Sequence, residues 1–190
     1  MNCPILGGVL VGGLSRRMGR PKQLVEVGDG TMIEHVVCSL SGEVHEVVLL
    51  GGGPVPATLE GLPRVADADD CRGPMAGILG ALRARPDACW VVTPCDLPLL
   101  RGEAVRWLVQ NRRPGAWVVM ASLDGFVEPL LALYESEARI LLEEAAAAGE
   151  LALQRLASNP RVATVDPPSA LRRCWFNANT PLELSSLRAG

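Results

Sequence analysis

Residues 11–22, VGGLSRRMGRPK, gather three glycines, three arginines, a serine and a lysine directly behind an apolar run. Backbone N–H groups in a glycine-rich turn between a strand and a helix form a cradle for an anion, and glycine lets that backbone approach closely. Arg17 offers a planar fork of donors and Lys22 a compact charge, both suited to phosphate oxygens. Gly13 and Gly19 enclose five residues, and Lys22 stands three beyond Gly19. That spacing is neither a Walker A loop nor a G-x-G-x-x-G dinucleotide turn. A plain turn with solvated arginines is the bland alternative. The concentration of Ser15, Arg17, Gly19 and Lys22 in one block favours a phosphate loop.

TPCDLP, residues 93–98, places Asp96 behind an apolar run and between Pro94 and Pro98. A carboxylate there suits Mg²⁺ on a nucleotide, which needs only one or two protein carboxylates. Read blandly, the same aspartate is a turn residue or a helix cap. DADDCRGPMAG, residues 67–77, adds Asp67, Asp69 and Asp70, the last two read as a polar loop. Asn177 and Asn179, two apart in FNANTPLEL, carry amides that donate and accept at once; Thr180 before Pro181 also suits a helix cap. Ser15 lacks a G-x-S-x-G elbow, and neither His35 nor His45 sits in a motif that pairs it with a nucleophile, which excludes a serine or cysteine hydrolase.

These residues need elements to hold them. Residues 4–11 and 46–53 read as buried strands ending in glycines, 62–67 as a short third strand, and 88–98 as a strand stopping at the acidic loop. TMIEHVVCSL (31–40), the segment opened by Pro74, and residues 104–113 read as helices. Residues 116–122 and 161–166 read as further strands. LLALYESEARILLEEAAAAG, residues 130–149, predicts one strong helix stopped by Gly149, and residues 151–159 continue helically. Strands alternating with helices predict an α/β, Rossmann-like, mostly parallel sheet with helices on both faces. Ligands of such sheets sit beyond the carboxyl ends of the strands, at loops 12–22, 51–53, 67–77, 94–98 and 122–129.

The chain of 190 residues is expected to form one domain with a real core, since nearly half its residues are hydrophobic. A net charge of −3 disfavours a general nucleic-acid binder. No run is long and apolar enough to span a membrane, and the first residues lack the charge order of a secretory signal. Cys3, Cys38, Cys71, Cys89, Cys95 and Cys174 form no C-x-x-C pair. They read as buried thiols of a cytoplasmic protein rather than zinc ligands.

LVGGLSRRMGRPK resembles the signature of the molybdenum cofactor guanylyltransferases and their nucleotidyltransferase relatives, with Val11 where alanine is common. CDLP around Asp96, the G-P-M-A-G run carrying Gly73, Pro74 and Gly77, the E-P pair at Glu128, and FNANTP resemble further blocks of that family, in its order, across residues 6–184. The resemblance implies a three-layer nucleotidyltransferase fold. It also implies Mg²⁺-dependent transfer of GMP from GTP to molybdopterin, with transient molybdoenzyme or biosynthetic protein partners and neither nucleic acid nor membrane. By the same resemblance Leu10, Gly12, Gly13, Ser15, Lys22, Asp67 and Asp96 bind nucleotide. Lys22, Arg17 and Asp96 serve catalysis, Asp96 holds the metal, and Asn177 and Asn179 face the pterin phosphate. A CTP:molybdopterin cytidylyltransferase, a sugar-phosphate nucleotidyltransferase and a non-catalytic nucleotide-binding accessory protein are the alternatives.

Overall fold

The computed structural model describes residues 3–12 and 21–178. Gly13, Ser15 and Arg17 of the glycine-rich block, and Asn179 of the tail, lie outside the described residues.

Seven strands form one sheet in the order β5-β4-β1-β6-β8-β7-β9. They are β1 (Ile5–Leu10), β4 (Glu46–Leu50), β5 (Arg64–Val65), β6 (Cys89–Pro94), β7 (Val118–Leu123), β8 (Phe126–Tyr134) and β9 (Val162–Val165). Two short strands, β2 (Glu26–Val27) and β3 (Gly30–Thr31), make a separate ribbon. Every neighbouring pair in the large sheet is parallel except those made by β8, which runs against both β6 and β7. The expected mostly parallel sheet is therefore present, with one reversed strand inside it.

Side chains alternate across the sheet as the pleat requires. Val9, Val47, Leu49, Val91, Leu131 and Leu133 face one layer, where α1 (Met32–Ser41) contributes Ile33, Val36 and Leu40 and α3 (Gly102–Gln110) contributes Val105 and Leu108. Leu6, Val48, Leu50, Trp90, Val92 and Tyr134 face the other. There α2 (Pro74–Ala84) supplies Met75, Ile78, Leu79 and Leu82, and α4 (Ala138–Ala147) supplies Leu141 and Leu142. Thr31 and Glu34 start α1 with a reciprocal capping box, each side chain bonded to the other's backbone N–H.

The single helix predicted over residues 130–149 is corrected. Its first residues belong to β8, which pairs Trp90 with Tyr134 and Val118 with Tyr134 on its two sides; α4 begins only at Ala138. Leucine and alanine favour a helix locally, but two flanking strands offer backbone partners and the helical layers cover both faces of the sheet, so tertiary context wins. The Tyr134 hydroxyl donates to the Pro129 carbonyl at 2.7 Å inside the core. Residues 153–158 form a 3₁₀ helix, as the helical reading there anticipated, and Gly149 ends the α4 region with φ of 73°.

The reading of all six cysteines as free thiols is also corrected. Cys3, just before β1, and Cys89, at the start of β6, are joined by a disulfide. Parallel pairing of β1 with β6 sets Ile5 opposite Cys89 and brings together thiols separated by 86 positions in the chain. Arg112 donates to both carboxylate oxygens of Glu135 at 2.6 Å beside the bond. Cys3→Ser should destabilise the protein by about 2–4 kcal/mol, as expected for opening a long covalent loop. Thermal melting without reductant measures it, and dithiothreitol should lower the wild-type midpoint toward that of the variant.

Helix α2 packs close to the segment that follows β5. The Ala68 N–H donates to the Ala76 carbonyl at 2.9 Å, and a Cβ on Gly80 would collide with the Ala66 carbonyl oxygen. Gly80→Ala should therefore displace the backbone around Asp67 and cost about 1–3 kcal/mol, the usual range for overpacking. Urea unfolding would register the loss as a lower midpoint at unchanged slope.

Candidate active site

The carboxyl ends of β1, β4 and β6 and the loop after β5 enclose a cleft of about 390 Å³. Its walls include Leu10, Val11 and Gly12 from β1 and its exit, Leu50 from β4, Asp67 from the loop after β5, and Pro94, Cys95 and Asp96 from β6 and its exit. Gly73 and Pro74, at the start of α2, close one side; Leu130 of β8 closes another. The sheet explains this convergence: parallel strands deliver their final residues to the same edge.

Lys22 opens a 3₁₀ turn, Lys22–Leu24, that is tied to α1 by the Met32 N–H donating to the Val25 carbonyl at 2.8 Å. From there its ammonium reaches Asp96 Oδ2 at 2.9 Å, with side chains 22% and 13% exposed. Two residues separated by 74 positions thus meet in one half-buried ion pair. Asp67 stands on the cleft wall, its carboxylate beside Gly51 and Gly77. Asp70 is turned away, bonded to Arg83 of α2 at 2.8 and 2.9 Å. The Arg83 hydrogen bonds hold its carboxyl below the usual range.

Asn177 is exposed, and its neighbour Ala178 is anchored under the cleft: the Ala178 N–H donates to the Asp96 carbonyl at 3.0 Å. Ala178 packs with Val25 and Met32 in a small apolar cluster. The C-terminal block therefore reaches the Asp96 loop. Beside it, Leu99, Asp124, Arg172, Arg173, Trp175 and Phe176 line a second cavity, and Arg172 pairs with Asp124 at 2.6 Å. The Trp175 indole donates to the Leu131 carbonyl at 3.0 Å and meets Trp107 edge to face.

The histidines and Cys95 offer no alternative chemistry. His35 Nε2 bonds the Leu100 carbonyl at 2.9 Å, and His45 Nδ1 lies 3.1 Å from the backbone of Ile5, where β1 begins. Burial, and then the adjacent Asp96 carboxylate, push the Cys95 thiol up to about 12, so it stays neutral. Burial raises the carboxyl of Glu128, which lies on β8 opposite Ala121 and does not line the cleft. The sequence reading did not single out Gln23 or Leu130 as cleft residues, and it gave Cys95 no role beyond its place in the 94–98 loop. For Gln23 its place beside Lys22 is the one available signal.

The profile of the MobA-like NTP transferase domain matches residues 7–163, and this span holds Lys22, Asp67 and Asp96. The chain belongs to this family.

Among its MobA-like relatives, a Bacillus mycoides protein named probable molybdenum cofactor guanylyltransferase is 30% identical over 93% of this chain and 92% of its own. One of the same name from Carboxydothermus hydrogenoformans is 36% identical over 72% and 68%. A solved structure from Archaeoglobus fulgidus, molybdopterin-guanine dinucleotide biosynthesis protein A, superposes with a TM-score of 0.78 at 26% identity, covering 95% of each chain. The fold is shared more widely: a Thermus thermophilus 2-C-methyl-D-erythritol 4-phosphate cytidylyltransferase superposes at 0.67 with 18% identity, over 95% of this chain and 96% of that one. Among the described residues, no helix of this MobA-like chain is long and apolar enough to cross a membrane.

Proposed function

We propose that this chain is a molybdenum cofactor guanylyltransferase. It transfers GMP from GTP to the terminal phosphate of molybdopterin and releases pyrophosphate. The observation that carries this reading is the contact of Lys22 with Asp96 at 2.9 Å inside the cleft at the carboxyl edge. Relatives of this chain bearing that activity in their names support the choice of substrates.

An acceptor phosphate oxygen attacks the α-phosphorus of GTP, and the bond from that phosphorus to the bridging oxygen of the β-phosphate breaks. A phosphate monoester is largely anionic near neutral pH, so the attack needs no strong base. That fits a cleft whose described walls hold no histidine. What the protein must supply is position and charge, since two polyanions repel each other. Lys22 counters the triphosphate. Gly12 offers backbone N–H at the loop, with Leu10 against the nucleoside and Gly13, Ser15 and Arg17 completing the phosphate contacts. The amino end of α2, at Gly73 and Pro74, adds its positive helix pole. Asp67 binds the nucleotide from the other wall, and Asn177 and Asn179 orient the pterin phosphate.

The donor set suits Mg²⁺: Asp96 and Asp67 bring hard carboxylate oxygens to one cleft, with Asp96 as the proposed ligand. When bound, Mg²⁺ neutralises phosphate oxygens and polarises the phosphoryl group.

The direct experiment is incubation with GTP, Mg²⁺ and molybdenum-loaded molybdopterin, followed by detection of the dinucleotide and pyrophosphate. Product from CTP in place of GTP would reassign the nucleotide. Transfer to a sugar phosphate would reassign the acceptor, and GTP binding without turnover would leave a non-catalytic accessory protein.

A further inference from the structure

Among the described residues, Gln23 and Thr93 are the buried polar side chains. Thr93 satisfies its hydroxyl on the Pro94 carbonyl at 3.0 Å. Gln23 is 3% exposed and lines the cleft, yet its carboxamide makes no hydrogen bond within the described part of the molecule. A carboxamide with open hydrogen-bonding capacity on the wall of a binding cleft is poised for a ligand group.

Its position says which part of the ligand. Lys22 and Gln23 are consecutive, but their polar ends diverge. The Lys22 ammonium lies over the exit of β6 at Asp96. Gln23 Nε2 lies 3.0 Å from where a Cβ on Gly53 would stand, over the seam between the exits of β1 and β4. That seam is closed by the Gly53 N–H donating to the Val11 carbonyl at 3.1 Å. In the sheet order β4-β1-β6 the amide and the ammonium therefore sit on opposite sides of β1. A nucleoside triphosphate whose phosphates lie at Lys22 and whose nucleoside runs past Leu10 and Leu50 would bring its base to the Gly53 seam.

We propose that Gln23 is a specificity-determining residue that reads the Watson–Crick edge of the nucleobase through its paired carboxamide donor and acceptor. This rests on the nucleotidyl-transfer reading above. A carboxamide presents N–H and C=O side by side, and guanine answers with O6 and N1–H. Removing a buried hydrogen-bonding group from a site built around it erodes discrimination rather than grip on the shared triphosphate.

The test measures dissociation constants of GTP, ATP, CTP, UTP and inorganic tripolyphosphate, each with Mg²⁺ and without acceptor. It uses the wild-type protein, Gln23→Met and Gln23→Glu, with thermal melting to establish that each variant is folded; either folded variant suffices. The preference of the wild type for its best nucleotide over the others should fall at least tenfold, while tripolyphosphate affinity changes less than twofold. A preference unchanged in the variants overturns the proposal. So does an equal loss for every nucleotide and for tripolyphosphate, and so does a wild type that binds all four nucleotides alike. If the wild type prefers a nucleotide other than GTP, guanylyl transfer fails as the reaction. Loss of that other preference in Gln23→Met would still support the role of Gln23.

Discussion

Asp96→Ala is expected to reduce nucleotidyl transfer by roughly 10³-fold or more, the scale seen when a preorganised electrostatic group is removed from a reacting centre. The fold should survive. The Asp96 side chain is at the cleft surface, paired with Lys22, whereas its carbonyl holds the Ala178 N–H and does not depend on the side chain. Leu97 and Leu100, both buried, keep the loop seated. Pyrophosphate release at saturating GTP and Mg²⁺ gives the rate, and a melting curve gives the stability control. Asp96→Asn should be nearly as inactive, because it keeps the shape and loses the charge that a cation needs. Near-normal, Mg²⁺-dependent turnover in either variant would remove Asp96 from its proposed role.

Lys22→Met should weaken GTP binding by roughly 100-fold, and two effects add. The ammonium no longer meets the triphosphate. The carboxylate of Asp96, which Lys22 neutralises across 2.9 Å, is left facing a polyanion. Like charges a few ångströms apart in a half-buried cleft repel by several kcal/mol at an effective dielectric of about 20. The double variant Lys22→Met/Asp96→Asn separates the two: if unmasking matters, it binds GTP more tightly than Lys22→Met alone, although it remains inactive. Calorimetric titration measures both. Unchanged GTP affinity and rate in Lys22→Met would refute the assignment.

The parts of this architecture written in local pattern were open to reading from the sequence. Glycines closing apolar runs mark the exits of β1 and β4, Pro74 marks the first turn of α2, and Asp96 follows β6 directly. What escaped depends on partners far along the chain. Residues 130–134 carry helix-forming leucines and alanine, and only the presence of β6 and β7 on either side makes them a strand. A local clue existed in Asp124-Gly125. Both have positive φ, 52° and 83°, and form the two-residue turn that matches the twist of a β7–β8 hairpin. The Cys3–Cys89 bond had no such clue, since spacing alone does not tell which strands become neighbours. Gln23 was hidden for another reason: its polarity suggests a surface residue, and burial on a cleft wall shows only once the 3₁₀ turn is folded against α1.

The reversal of β8 has an evolutionary corollary. On the β5 side of β6, each strand hands its last residues to the rim, so Gly12, Asp67 and Asp96 there are bound to the geometry of four parallel strands. On the far side the border is a hairpin apex beside Arg172. An apex can lengthen, shorten or change its residues without shifting the register of any strand. Selection can thus retailor the entrance for a new acceptor while the machinery for the donor stays untouched, a division of labour that lets one scaffold serve many transferases.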